Sequence, residues 1–121
     1  MTQFAKMAGI LGFVAVALGA FGAHGLEARL IESGHLDTWQ TATLYLFVHM
    51  LALFALSFAE ADKCLIVAGW SWIAGSLVFS GSLYLLSLTC LGILGAITPL
   101  GGLSFLVGWC SVIYFGFRRK E

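Results

Sequence analysis

Between Lys63 and Arg118 the chain reads CLIVAGWSWIAGSLVFSGSLYLLSLTCLGILGAITPLGGLSFLVGWCSVIYFGF (residues 64–117), without one Asp, Glu, Lys, Arg or His. A helix rises about 1.5 Å per residue and the hydrocarbon core of a bilayer is about 30 Å thick, so one crossing takes roughly 20 residues. The stretch is too long for one crossing and suits two joined by an apolar hairpin. Outward from it, the charges fall into four patches: Lys6, Glu27 to Asp37, Glu60 to Lys63, and Arg118 to Glu121. The gaps fit the same ruler. Met7–Ala23 makes a short first span and Thr38–Ala59 a second. The expected fold is all-α: an integral membrane four-helix bundle with spans near residues 7–23, 38–59, 65–88 and 99–117, in a single transmembrane domain covering 1–121.

Composition excludes the main alternatives. Of 121 residues, 60% are hydrophobic and 10% charged, against roughly 25% charged in an ordinary soluble domain. Six Lys/Arg and six Asp/Glu cannot wet the surface of a soluble monomer of this size. The formal net charge of zero removes nucleic acid as a partner, because phosphate binding needs clustered cations.

Boundaries follow from capping chemistry. Asp37 or Thr38 is expected to cap the second span, with Trp39 at the interface. Thr98-Pro99-Leu100-Gly101-Gly102 is expected to open the fourth, since proline suits the first helical position and threonine before it can cap free amides. Thr89–Ile97 then becomes an uncharged connector; the alternative is one kinked helix from near Leu91. Lys6, Lys63, Arg118, Arg119 and Lys120 share one side and Arg29 the other, so both termini should be cytoplasmic. Lys6 followed by an apolar run and small residues imitates a signal peptide cleavable after Gly22, but the run is long enough to span and is expected to be retained.

Helix packing is the most legible chemistry. Apolar helices gain nothing hydrophobic by leaving lipid for one another, so small residues mark the seams. Span one has Ala5/Gly9, Ala8/Gly12, Ala15/Gly19 and Gly19/Ala23 four apart, and span three has Gly69, Gly75, Ser76, Ser80, Gly81 and Ser82. Such polarity glues a bundle or lines a narrow solute path.

His49, about ten residues from each end of span two, should lie near the bilayer midplane and must find a partner there. Tyr45 one turn earlier, and Ser76 or Ser80 at similar depth on span three, complete a candidate intramembrane polar site. The bland reading is a neutral imidazole satisfied by a hydroxyl or carbonyl; the sharper one is proton transfer or ligand contact. His24, Glu27, His35 and Asp37 form a candidate outer-loop site. Its spacing is not that of a metal site, and Leu26, Leu30 and Ile31 point instead to a short amphipathic helix at the interface. Cys64, Cys90 and Cys110 are odd in number and far apart, and read as small buried fillers. Trp70, Trp72 and Tyr84 suit interfacial belts, whereas Trp109 should pack inside, its indole hydrogen seeking a bond. No catalytic residues, metal or cofactor are assigned.

Taken in order, Phe21-Gly22-Ala23-His24-Gly25-Leu26, the His49 region, Phe79-Ser80-Gly81-Ser82-Leu83-Tyr84, Thr98-Pro99-Leu100-Gly101-Gly102 and Gly108-Trp109 resemble the small membrane proteins catalogued as domain of unknown function 423. These are bacterial inner-membrane proteins with a small transmembrane relative in animals. The resemblance covers nearly the whole chain. It implies a compact all-helical membrane protein and carries no activity or catalytic residues.

The expected role is a small structural or interaction subunit of a membrane assembly in the bacterial cytoplasmic membrane. Its partners would be membrane lipids and other membrane proteins or further copies of itself. The first alternative is an oligomeric channel or transporter for a small neutral or weakly polar solute, lined by His49, Tyr45 and the serines. The second is a membrane enzyme acting on lipid or quinone, for which no nucleophile and base stand at diagnostic spacing.

Overall fold

In the computed structural model, residues 1–119 are described; Lys120, the last of the basic C-terminal run, and Glu121 lie outside them. The elements are α1 (Thr2–Ala23), α2 (Glu27–Ser33), α3 (Leu36–Leu56), α4 (Lys63–Gly75), a π-helical turn (Ser76–Ser80), α5 (Gly81–Thr89) and α6 (Ile93–Arg118). α4, the π turn and α5 run on as one 27-residue span. With α1, α3 and α6 this gives four helices long and apolar enough to cross a membrane. No strand occurs among the described residues.

α3 has α1 on one side and the α4–α5 span on the other, and α6 packs along α4, the π turn and α5. Each helix turns one stripe inward at spacings of three and four residues. On α1 these are Phe4, Ala8, Leu11 and Ala15; on α3, Ala42, Leu46, His49, Leu53 and Leu56; on α6, Thr98, Gly101, Phe105 and Gly108. The opposite faces carry Ile10, Phe13, Val16, Leu51, Leu100, Leu103 and Ile113, all more than half exposed. A surface so apolar requires lipid.

The charged connections divide into two ends. α2 is the short amphipathic helix expected at the outer loop, its Leu30 fully buried. It ends on Gly34, whose φ of 73° is the left-handed geometry that glycine adopts without strain. Arg29 donates to Leu88 O at 3.0 Å, tying α2 to the end of α5. At the other end Arg118 pairs with Asp62, and Phe4 lies against Gly69 and edge-on to Trp70. The end of the last span therefore meets the α3–α4 link, and the start of the first span packs on α4.

Three boundary expectations change. The fourth span starts at Ile93 with Pro99 inside it, as in the kinked-helix alternative, and the connector shrinks to Cys90–Gly92. Proline there removes the amide that would bond Gly95 O. That single loss is tolerated because the same helix face buries Thr98, Gly101 and Phe105 against the neighbouring helices. Neither Asp37 nor Thr38 caps α3, which starts at Leu36 after His35 without a side-chain cap. Asp37 sits in the first turn, where its negative charge interacts favourably with the positive end of the helix dipole. A side-chain cap does form on α4, where Asp62 accepts from Cys64 N at 2.8 Å.

Candidate functional site

α3 carries His49 into the space between α4 and α6. α3 ends at Leu56, so the ring lies about 10 Å from that end and about 20 Å from the start, off-centre rather than midway. Its depth therefore matches Trp72 of α4, at 6.3 Å between ring centroids, and not Ser80.

Both ring nitrogens are engaged. Nδ1 is 2.8 Å from the Tyr45 carbonyl, and Trp109 Nε1 lies 3.1 Å from Nε2. A carbonyl only accepts and an indole N–H only donates. The proton is thus on Nδ1, Nε2 keeps its lone pair for Trp109, and the imidazole is neutral. Phe105 stacks on the ring, centroids 3.5 Å apart and planes 8° from parallel, and Trp72 and Trp109 present tilted rings. The side chain is only 4% exposed.

The four residues expected to share this site are only partly together. Tyr45 supplies its backbone carbonyl, while its ring leans on Phe79 at 4.5 Å. Ser80 Oγ turns away to Ala42 O at 2.8 Å, gluing the π turn to α3. Ser76 Oγ is buried with no hydrogen-bond partner, as is Trp72 Nε1. Sequence reasoning missed Phe105 and Trp72 as walls and Trp109 as the donor to His49. The available signals were the spacing of four between Phe105 and Trp109 and the expectation that the Trp109 indole needed a partner.

The π turn explains how three helices meet here. An i→i+5 turn is a rare widening of the helix, often found at functional sites. It brings the Phe79 backbone directly onto Gly101, where any β-carbon would collide with main chain. Ser82 Oγ and Thr98 Oγ1, 2.6 Å apart, add a polar clasp between α5 and α6.

A second polar cluster lies towards the start of α3. Trp39 is buried rather than interfacial: its ring covers Gly22 and its Nε1 donates to Leu18 O at 2.8 Å. Tyr84 is buried as well, not part of a belt, and stands 2.7 Å from Thr43 Oγ1. Because Thr43 has one hydrogen and contacts Trp39 O at 3.1 Å, donation to that carbonyl leaves Tyr84 OH as donor to Thr43. Trp72 also leaves the expected belt for the core, on Gly108, while Trp70 stays exposed. Trp39 and Tyr84 are buried with their polar atoms bonded inside the bundle, whereas Trp72 is held by ring packing alone, its Nε1 unpartnered.

The outer-loop residues do not converge. His24 is the C-cap of α1, Glu27 opens α2, Asp37 lies in the first turn of α3, and His35 is 3.9 Å from Cys90 Sγ. No three His, Cys, Asp or Glu side chains among the described residues gather around a metal-sized space. The cysteines are free and are not buried fillers: Cys90 and Cys110 are exposed and Cys64 is half-buried. At the terminal end the Cys64 amide, followed by Arg118, holds the Asp62 carboxyl below the usual carboxylate range.

Four apolar spans, almost no mass outside them and an interior closed by rings define a small polytopic helical membrane protein. The chain belongs to the family described as "Protein of unknown function (DUF423)", whose profile matches residues 18–102. It is 45% identical over 118 residues to the UPF0382 membrane protein YwdK of Bacillus subtilis, covering 93% of this chain and 94% of that one. It is 41% identical to the UPF0382 membrane protein SAB0533 of Staphylococcus aureus, with 98% of both chains covered. A UPF0382 membrane protein of Haemophilus influenzae is 38% identical, with 98% of this chain and 97% of the relative covered. No solved structure matches the chain.

Proposed function

We propose that this chain is a structural or interaction subunit of a larger assembly in the bacterial cytoplasmic membrane, with both termini on the cytoplasmic side. The observation that carries this reading is the closed interior at His49. A proton relay needs a ring nitrogen that exchanges with water, and a solute path needs width. Here both nitrogens are taken, Phe105 lies flat on the ring, and the side chain is 4% exposed. No observation favours a reaction centre for lipid or quinone chemistry.

An open seam supports the same reading. Ala8 and Ala15 are buried, whereas Gly9 has nothing within 4 Å of a β-carbon position. Ala5, Gly9, Ile10, Phe13 and Val14 border a depression of about 590 Å³ on the outer side of α1. A small-residue floor with bulky edges is how one transmembrane helix seats against another.

The experiment is purification of the tagged chain from its own membranes in mild detergent, beside Gly9→Leu. Wild type is expected to retain the same companion proteins at fixed stoichiometry, and Gly9→Leu to lose them with its melting temperature unchanged. Recovery of this chain alone, in repeated preparations, overturns the reading. Solute flux in proteoliposomes that His49→Ala alters would instead establish the transporter. Reporters after Ser33 and after Glu121 are expected in opposite compartments, the second cytoplasmic.

A further inference from the structure

A groove of about 700 Å³ runs between α4 and α6 on the outside of the bundle, bordered by Val67, Leu103, Leu106, Val107 and Cys110, with Lys63 and Tyr114 at one end. In a bilayer such a groove is filled either by an acyl chain or by another helix. From Leu103 to Tyr114 it rises about 16 Å. That is one leaflet, half of the roughly 30 Å core. At the deep end Ser104 Oγ ties α6 to Ser71 O at 2.7 Å, and beyond it Leu100 projects outward, 63% exposed. A groove one leaflet long matches an acyl chain, which ends at mid-bilayer, whereas a transmembrane helix continues through the second leaflet.

The open end has the matching charge. Lys63 is exposed and makes no ion pair among the described residues, because Asp62 beside it is committed to Arg118 and to Cys64 N. The Tyr114 ring stands at the same end, 61% exposed, at the level where aromatic side chains meet headgroups.

We propose that this groove binds one anionic phospholipid from the leaflet in which the α3–α4 link lies, an acyl chain along Val67, Leu103, Leu106 and Val107 and the phosphate at Lys63. The test is native mass spectrometry of the purified full chain after exchange into detergent containing phosphatidylglycerol or phosphatidylcholine. One phosphatidylglycerol per chain is expected to survive delipidation in preference to phosphatidylcholine. Lys63→Gln, a change at an exposed position, should lower phosphatidylglycerol retention about fivefold and leave phosphatidylcholine unchanged. Val107→Trp should displace both lipids by filling the groove. Equal retention of the two lipids, indifferent to both substitutions, overturns the proposal. So does a stable dimer that Val107→Trp splits into monomers, because the groove would then belong to a second copy.

Discussion

Along the α1–α3 seam the helices approach through Ala8, Gly12, Ala15, Gly19 and Gly22, and one indole reaches across to a carbonyl. The junction of α3, the π turn and α6 is filled by Tyr45, His49, Phe79, Phe105 and Trp109. The seam relies on small residues whose neighbours are side chains: the Met50 end at Gly12, the Thr43 methyl at Gly19 and the Trp39 ring at Gly22. The junction relies on rings and on one place where main chain meets main chain. Lipid offers no hydrogen bonds, so each region must satisfy its own polar groups. The seam does so with single bonds to carbonyls, the junction with a ring bonded on both sides, beside which Ser76 Oγ and Trp72 Nε1 stay unpaired. Tolerance to substitution should therefore differ between them.

The largest effect is expected at the centre of the junction. His49→Ala removes a stacked ring and leaves the Trp109 N–H without an acceptor, a loss of about 3 kcal/mol by analogy with large-to-small core changes. Unfolding in mixed micelles measures it; His49→Phe, which keeps the stack, should recover about half. A loss as small as that of an exposed residue would refute the account of the junction.

The same substitution at two glycines sharpens the contrast. A β-carbon at Gly101 would press into the Phe79 backbone, which cannot yield, so Gly101→Ala should cost about 2 kcal/mol. At Gly12 the β-carbon would meet the end of the Met50 side chain at 3.2 Å, which can swing away. Gly12→Ala should be neutral or slightly stabilising, since alanine is the better helix former. Equal melting temperatures for the two variants would show that the seam and the junction tolerate a β-carbon alike.

Within the seam, Trp39→Phe deletes the bond to Leu18 O while keeping an aromatic ring over Gly22. A loss of about 1 kcal/mol is expected, in line with single interhelical bonds in membranes.

The smallest effect belongs to the exposed end. The Asp62 carboxyl is held below its usual range by the Cys64 amide and then by Arg118, so its folded form binds a proton less readily than its unfolded form. Its contribution is complete above the ordinary carboxylate value of about 3.9 and fades as pH falls through the lower folded value. Asp62→Asn should lower the melting temperature slightly at pH 7, with the difference from wild type vanishing in strong acid. A difference that grows on acidification would mean that Asp62 binds its proton more readily in the folded chain than in the unfolded one.

Much of the fold was legible in the sequence because lipid imposes a ruler. The charge-free run from residue 64 to 117, two patches of charge and one basic terminus suffice to count the helices. Pro99 was misread as a start because the proline rule is local, whereas the burial that keeps α6 intact spans Thr98 to Gly108. Trp39, Trp72 and Tyr84 were placed at the interface on residue type. Their burial depends on how each helix is rotated, which an all-apolar helix does not announce. The site was legible in His49 alone. Its donor, Trp109, lies 60 residues away, and Ser80 was removed from it by a register that puts Ala42 opposite Ser80.

The order of apolar and charged segments by itself determined that this chain is a four-helix membrane protein, because an unbroken run of apolar residues has only the bilayer in which to hide. Which faces of those helices meet was decided by the tertiary structure alone. In lipid the outer and inner faces are equally apolar, and only close packing at the glycines, together with hydrogen bonds between distant partners, distinguishes them.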